Sequence, residues 1–238
     1  MGSKILLRFA LVALVLSFCV VGQNDARAFL VDDFSTDQTL LLFNPGTTLA
    51  NSSSGLGVVG IERDLELNRI SGTGMTMIAS GGTLSYTHIG VSAGDGTMVW
   101  DGIDGSNVLD PTGLGGVDFT DAGLSVEFAV VFLASDFVTD GITFTVYTDA
   151  TNFSTMTADL PAAAGTLVLP FASFTQGGVG PADFANVGAL EVAIDGSTPS
   201  AINISLNTIQ TVTPEPSTLS LLLGSLTLLA MARRGRML

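Results

Sequence analysis

Three stretches of the chain alternate apolar and polar side chains with a period of two. They are LSVEFAVVFLAS (Leu124–Ser135), ITFTVYTDA (Ile142–Ala150) and INISLNTIQTV (Ile202–Val212). All three are rich in β-branched and aromatic residues and bounded by Gly, Asp and Pro, the pattern of half-buried strands. In the second, Ile142, Phe144 and Val146 share one face and Thr143, Thr145 and Tyr147 the other. In the third, Ile202, Ile204 and Leu206 oppose Asn203, Ser205 and Asn207. Turn signals recur at GDG (94–96), DGIDGSN (101–107) and GGVG (177–180). There are no heptads, no long amphipathic helix and no internal repeat. About ten to twelve short strands are expected, giving an all-β chain with a single jelly-roll-like β-sandwich.

GIERDLELNRI (Gly60–Ile70) carries the same period with charge added. As a strand it places Ile61, Arg63, Leu65, Leu67 and Arg69 on one face, and Glu62, Asp64, Glu66, Asn68 and Ile70 on the other. An arginine among apolar neighbours needs a carboxylate or a ligand, because an unpaired buried charge is very costly. Two readings follow. Arg63 forms an internal ion pair, or it lines a concave face with Tyr86 and Trp100, whose rings stack on a sugar. The second requires those rings to be exposed.

The apolar pattern changes at both ends. Lys4 and Arg8 precede a 13-residue apolar run, Phe9 to Val21, and a small-x-small site at Ala26-Arg27-Ala28. That is the layout of a secretory signal peptide, cleaved before Phe29, and the run is too short to cross a bilayer, which takes about 20 residues. Cys19 would leave with it. At the other end, Pro214-Glu215-Pro216-Ser217 precedes a 14-residue apolar run, Leu219 to Ala232, and then Arg233, Arg234 and Arg236. As a helix the run spans about 21 Å, against about 30 Å of hydrocarbon. The arginines hold its end on the cytoplasmic side, and the prolines keep the approach extended. The ending resembles the PEP-CTERM sorting signal of Gram-negative, biofilm-forming bacteria. The resemblance implies a Sec-type exporter and signal peptidase as first partners. It then implies transient anchoring in the inner membrane and recognition of the Pro-Glu-Pro box by exosortase, a membrane-embedded cysteine protease. The domain division is accordingly 1–28 signal peptide, 29–213 β-sandwich and 214–238 sorting signal, with a signal helix and a short membrane helix flanking the sandwich.

Composition sharpens the picture once both ends are set aside. Residues 29–215 hold two cations, Arg63 and Arg69, against 21 carboxylates, a net charge of −19, with no lysine and no cysteine. Nucleic acid and anionic membranes call for clustered Lys or Arg, so neither is an expected partner. Without cysteine, burial alone must hold the fold, and about 185 residues suffice for one core.

Candidate chemistry is sparse. The single histidine, His88, alternates with Tyr86 and reads as a strand surface residue. No nucleophile elbow lies near it, one histidine only begins a zinc site, and no phosphate-cradling loop occurs. The expectation is a non-enzyme with no cofactor, although paired glycosidase carboxylates leave no fixed spacing. Asp101, Asp104, Asn107 and Asp110 stand three residues apart in a Gly-rich loop. They offer oxygen ligands for a structural calcium ion, or serve simply as turn formers.

VDDFST, LGGVDFTDAGLSVEFAVVF, LVLPFASFTQ and VGALEVAID…INISLNTIQTV follow one another along the domain. This order is similar to jelly-roll domains of the carbohydrate-binding-module and galactose-binding-like type. The segment Pro170-Phe171-Ala172-Ser173-Phe174 follows an apolar strand there, and a final strand returns beside the first. The comparison pairs Asp33 with Asn207, where related modules often carry Asp, which weakens transfer of their calcium site. The expected function is an exported, non-catalytic surface or matrix protein. The alternatives are a module that binds extracellular polysaccharide and, third, a secreted glycan-acting enzyme.

Overall fold

A computed structural model describes residues 28–213, except 45 and 137. Residues 1–27 of the signal peptide (Ala26 among them), the Pro-Glu-Pro box and the terminal arginines lie outside the described residues, whereas Ala28 opens the first strand. The strands are β1 (Ala28–Asp32), β2 (Gln38–Leu42), β3 (Thr47–Ser54), β4 (Glu62–Ser71), β5 (Gly74–Ser80), β6 (Thr83–Ile89) and β7 (Ser92–Trp100). After a long loop come β8 (Glu127–Ser135), β9 (Val138–Tyr147), β10 (Phe153–Leu160), β11 (Gly165–Pro170), β12 (Thr175–Gln176), β13 (Ala189–Ser200) and β14 (Asn203–Val212).

They form two antiparallel seven-stranded sheets. The first runs β11-β8-β14-β6-β5-β2, and the second β12-β10-β9-β13-β7-β4-β3. In the first, β14 pairs along its length with β8. Its other edge meets β6 through its first half and β1 through its second. The register Ala28↔Val212 sets the first and last strands side by side.

The alternation read from sequence is the alternation of burial. Ile142, Phe144 and Val146 are buried, as are Ile202, Ile204 and Leu206. They meet Leu65, Leu67, Met98, Val192 and Ile194 in one core between the sheets. The Pro170–Phe174 segment makes a 3₁₀ turn at Phe171–Ser173. Its Phe171 stacks on Phe184 at 4.4 Å and meets Phe128 edge-on at 5.1 Å, closing one end of the core with aromatic area.

Two local readings change. GDG (94–96) lies inside β7 rather than in a turn. Gly94 and Gly96 face inward, where a Cβ would fall 2.4 Å from Met75 Sδ and 2.3 Å from Met77 Cε, so glycine there makes room for core side chains. Ile61 leaves the face it was expected to share with Arg63. It ends a 3₁₀ turn, Val59–Ile61, at φ 69° and is 51% exposed, and β4 starts one residue later.

Candidate functional site

Arg63 is fully buried, and its surroundings select the internal pair. Its Nη1 donates to both oxygens of Asp32 at 3.0 and 2.8 Å, its Nε to Gln38 Oε1 at 2.8 Å and its Nη2 to Thr36 O at 2.8 Å. The guanidinium also lies 5.5 Å from the Phe34 ring centroid. Asp32 further accepts Phe34 N–H at 2.7 Å and Trp100 Nε1–H at 2.9 Å. Burial pushes Asp32 above its ordinary value, while the Arg63 charge and these donors pull it down. Each of these partners donates, an environment that fits the ionised, acceptor-only carboxylate.

This corrects the expected ligand face. Trp100 and Tyr86 are 0% exposed, and neither ring reaches solvent. Trp100 is a core donor to Asp32. The Tyr86 hydroxyl donates to Gly94 O at 2.9 Å and lies 2.8 Å from His88 Nε2. His88 is likewise buried, its Nδ1 3.1 Å from Ser92 O, rather than a surface residue. Burial of these groups follows from the glycines opposite. Gly96 clears the volume that Tyr86 fills, and Gly196 does so for the His88 ring. Arg69, the second cation, is also buried. Its Nη2 donates to Gly72 O, while its Nε and Nη1 have no partner.

The calcium candidates shape a loop. Asp101 Oδ2 accepts Asp110 N–H, Asp110 Oδ1 accepts the Thr112 N–H and hydroxyl, and Asp104 Oδ1 accepts Ser106 N–H. Asn107 Oδ1 accepts the Ser52 hydroxyl at 3.0 Å, tying the loop to β3. Asp33 accepts Ser35 N–H, and Asn207 donates to Gly82 O. Among the described residues, no three His, Cys, Asp or Glu side chains are placed to hold a metal ion.

The outward side of the second sheet carries a different grouping. Alternation that buries Arg63, Leu65 and Leu67 turns Asp64, Glu66 and Asn68 outward. The ladders continue these positions across β7 and β13 in three rows: Asp64–Val99–Glu191, Glu66–Thr97–Ala193 and Asn68–Asp95–Asp195. Thr145 and Thr143 of β9 extend the first two. Two adjoining cavities, about 230 and 430 Å³, follow these rows and share Glu66 and Thr97. Asn107 and Leu109, from the loop after β7, wall the smaller one. Glu62 fixes that loop by accepting Gly105 N–H at 3.0 Å and the Ser54 hydroxyl at 2.9 Å.

The electrostatics of the groove follow from its burial. Asp64 lines the smaller cavity, is 4% exposed, and its Oδ1 has no hydrogen-bond partner. Burial raises it to about 7, with Asp101, Glu62 and Asp104 adding to the shift against a Ser52 hydrogen bond. Burial also raises Glu191, and the charge of Glu66 adds to it. Asp95 is raised by burial and by Asp195, whereas Ser197 hydrogen bonds lower Asp195. Beside Glu191, the Tyr147 hydroxyl is pushed up to about 12 by burial and then by that carboxylate.

Sequence periodicity located Asp64, Glu66 and Asn68 on one face. It missed Asp95, Glu191 and Asp195, which join them only through strand pairings between residues 27, 92 and 100 positions apart.

No family model and no curated protein matches the sequence. Among solved structures, the fold is similar to the family 11 carbohydrate-binding module of cellulase Lic26A-Cel5E of Clostridium thermocellum. Identity there is 12% and the TM-score 0.41, over 80% of this chain and 97% of that one. It is also similar to the family 30 carbohydrate-binding module of cellulase Cel9D-Cel44B of the same organism, at 13% identity and TM-score 0.33, over 76% and 99%. PfGH50B matches at 9% identity and TM-score 0.38, over 63% of this chain and 22% of that one.

Proposed function

We propose that the chain is an exported, non-catalytic surface or matrix protein whose sandwich binds extracellular polysaccharide in the groove across β4, β7 and β13. One observation carries this reading. The groove sets carboxylates, threonine hydroxyls and amides in ordered rows around two open cavities, with a buried Asp64 oxygen that lacks a donor. Sugar hydroxyls are donors in dense array, and acceptors of this kind fix their orientation.

Export by a Sec-type route, signal peptidase cleavage after Ala28 and exosortase processing at Pro214–Ser217 belong to the same proposal. Among the described residues, a cut after Ala28 takes one exposed strand-end residue and leaves the other strands whole. The mass of the secreted protein from cells with and without exosortase tests the sorting. A shortened product only when exosortase is present is expected, and an uncut product in both overturns it. A glycan array tests the binding: at least one polysaccharide is retained, and E191A releases it. Binding to none overturns the reading. The raised Glu191 beside Glu66 favours one second reading, a glycoside-hydrolysing pair. Polysaccharide hydrolysis abolished by E191Q would put it in place of the first.

A further inference from the structure

Among the described residues, no lysine or arginine supplies a counter-charge to the carboxylates of the groove. The only cations between residues 29 and 213, Arg63 and Arg69, are both buried on the inner face of β4. The ion pair of Arg63 with Asp32 lies on that inner side as well. Asp64, Glu66, Asp95, Glu191 and Asp195 therefore crowd one sheet face unneutralised. Asp64 makes the deficit concrete, because it is almost wholly buried, lines the cavity and leaves Oδ1 without a donor. A buried carboxylate in that state is costly unless a cation or donor arrives. The upward shifts of Asp64, Asp95 and Glu191 record the same deficit.

We propose that the groove selects a cationic polysaccharide, a hexosamine polymer with free amino groups, whose ammonium groups pair with Asp64, Glu66 and Glu191. Ring hydroxyls meet Thr97 and Thr143 in the neighbouring row. This rests on the polysaccharide-binding reading and adds the charge of the ligand. Neutral sugars draw affinity from stacking on aromatic rings, and no ring is among the residues lining either cavity. Electrostatics must supply what stacking does not. A basic peptide would bind an extended backbone to an unpaired strand edge. Here the floor is the face of β4, β7 and β13, each already paired on both sides. A bare metal ion finds no converging set of three ligands among the described residues.

Isothermal titration of the full chain at neutral pH distinguishes these cases. The probes are a glucosamine hexamer, its fully N-acetylated counterpart, a neutral glucan hexamer and hexalysine, each at low and physiological salt. The glucosamine hexamer is expected to bind at least about tenfold tighter than the acetylated one and to weaken as salt rises. It should release protons from the groove on binding. D64N combined with E191Q lowers that affinity at least about tenfold; E66Q, at a half-exposed position, lowers it by less and serves if the double variant folds poorly. Equal or tighter binding of the acetylated or neutral oligomer overturns the charge selection and leaves polysaccharide binding standing. Hexalysine binding as tightly as the glucosamine hexamer overturns the sugar requirement. Binding of none of the four overturns both.

Discussion

Arg63 and Asp64 are consecutive residues on opposite faces of one strand, and the two sites treat charge in opposite ways. Inward, Arg63 meets a carboxylate, an amide oxygen and a backbone carbonyl, and Asp32 receives donors from Arg63, Phe34 and Trp100. Outward, Asp64 is nearly as buried, yet one of its oxygens receives nothing. Depth is therefore not what separates the sites. The interior site is complete within the chain, while the groove is complete only when something from outside fills it. A closed network specifies the fold; an open one is available for recognition.

The sharpest way to break the comparison is to open the closed network. R63A leaves Asp32 buried without its cation and should cost about 3–5 kcal/mol in urea denaturation. A loss below about 1 kcal/mol would mean that the pair behaves like a surface one. W100F keeps most of the ring volume and removes a single donor to Asp32. It should cost about 1–3 kcal/mol, less than R63A, and equal costs would show that packing around the ring dominates.

The open site predicts the reverse sign. D64N removes an uncompensated buried charge, so its melting temperature at pH 8 should rise by a few degrees, about 2–4 °C for a domain of this size. A fall would show that Asp64 Oδ1 is held by a donor after all. The same deficit sets the pH dependence. The folded value of Asp64 is about 7 against an ordinary 3.8, so the folded state binds the proton more tightly than the unfolded chain. Stability therefore increases as pH falls from about 8 towards 5 and is lost as pH rises through 7. Glu191, Asp95 and Asp101 are also raised and act in the same direction. Asp110, Asp118 and Asp149, held low by hydrogen bonds from their own turns, oppose it below about pH 4, where their stabilisation is lost. Thermal melts across pH 4–9 check the slope, and D64N should flatten it between 5 and 8.

Much of the sandwich was legible because period two is a local signal. Ile142–Val146, Ile202–Leu206 and Arg63–Leu67 all turn the side chains inward that alternation assigned there. Apart from Ile61, which a local 3₁₀ turn displaces, the exceptions have a common cause in contacts from the other sheet. Gly94 and Gly96 read as a turn because the Met75, Met77 and Tyr86 side chains that need their space come from strands the local sequence does not mention. Tyr86 and Trp100 read as a sugar platform because a polar tip suits a surface. Their partners, Gly94 O and Asp32, were invisible before pairing. The groove was half legible. Its β4 carboxylates follow from alternation, whereas Asp95, Asp195 and Glu191 depend on which strands become neighbours.

The Ala28↔Val212 register places the two ends of the sandwich beside each other on adjacent antiparallel strands. Tension applied between them would open that seam like a zipper, one hydrogen-bonded rung at a time, and would not meet the collective resistance of strands sheared along their length. A chain held from one end only never loads the seam. Attachment through a single terminus is thus the mechanically safe way to moor this sandwich in a flowing environment.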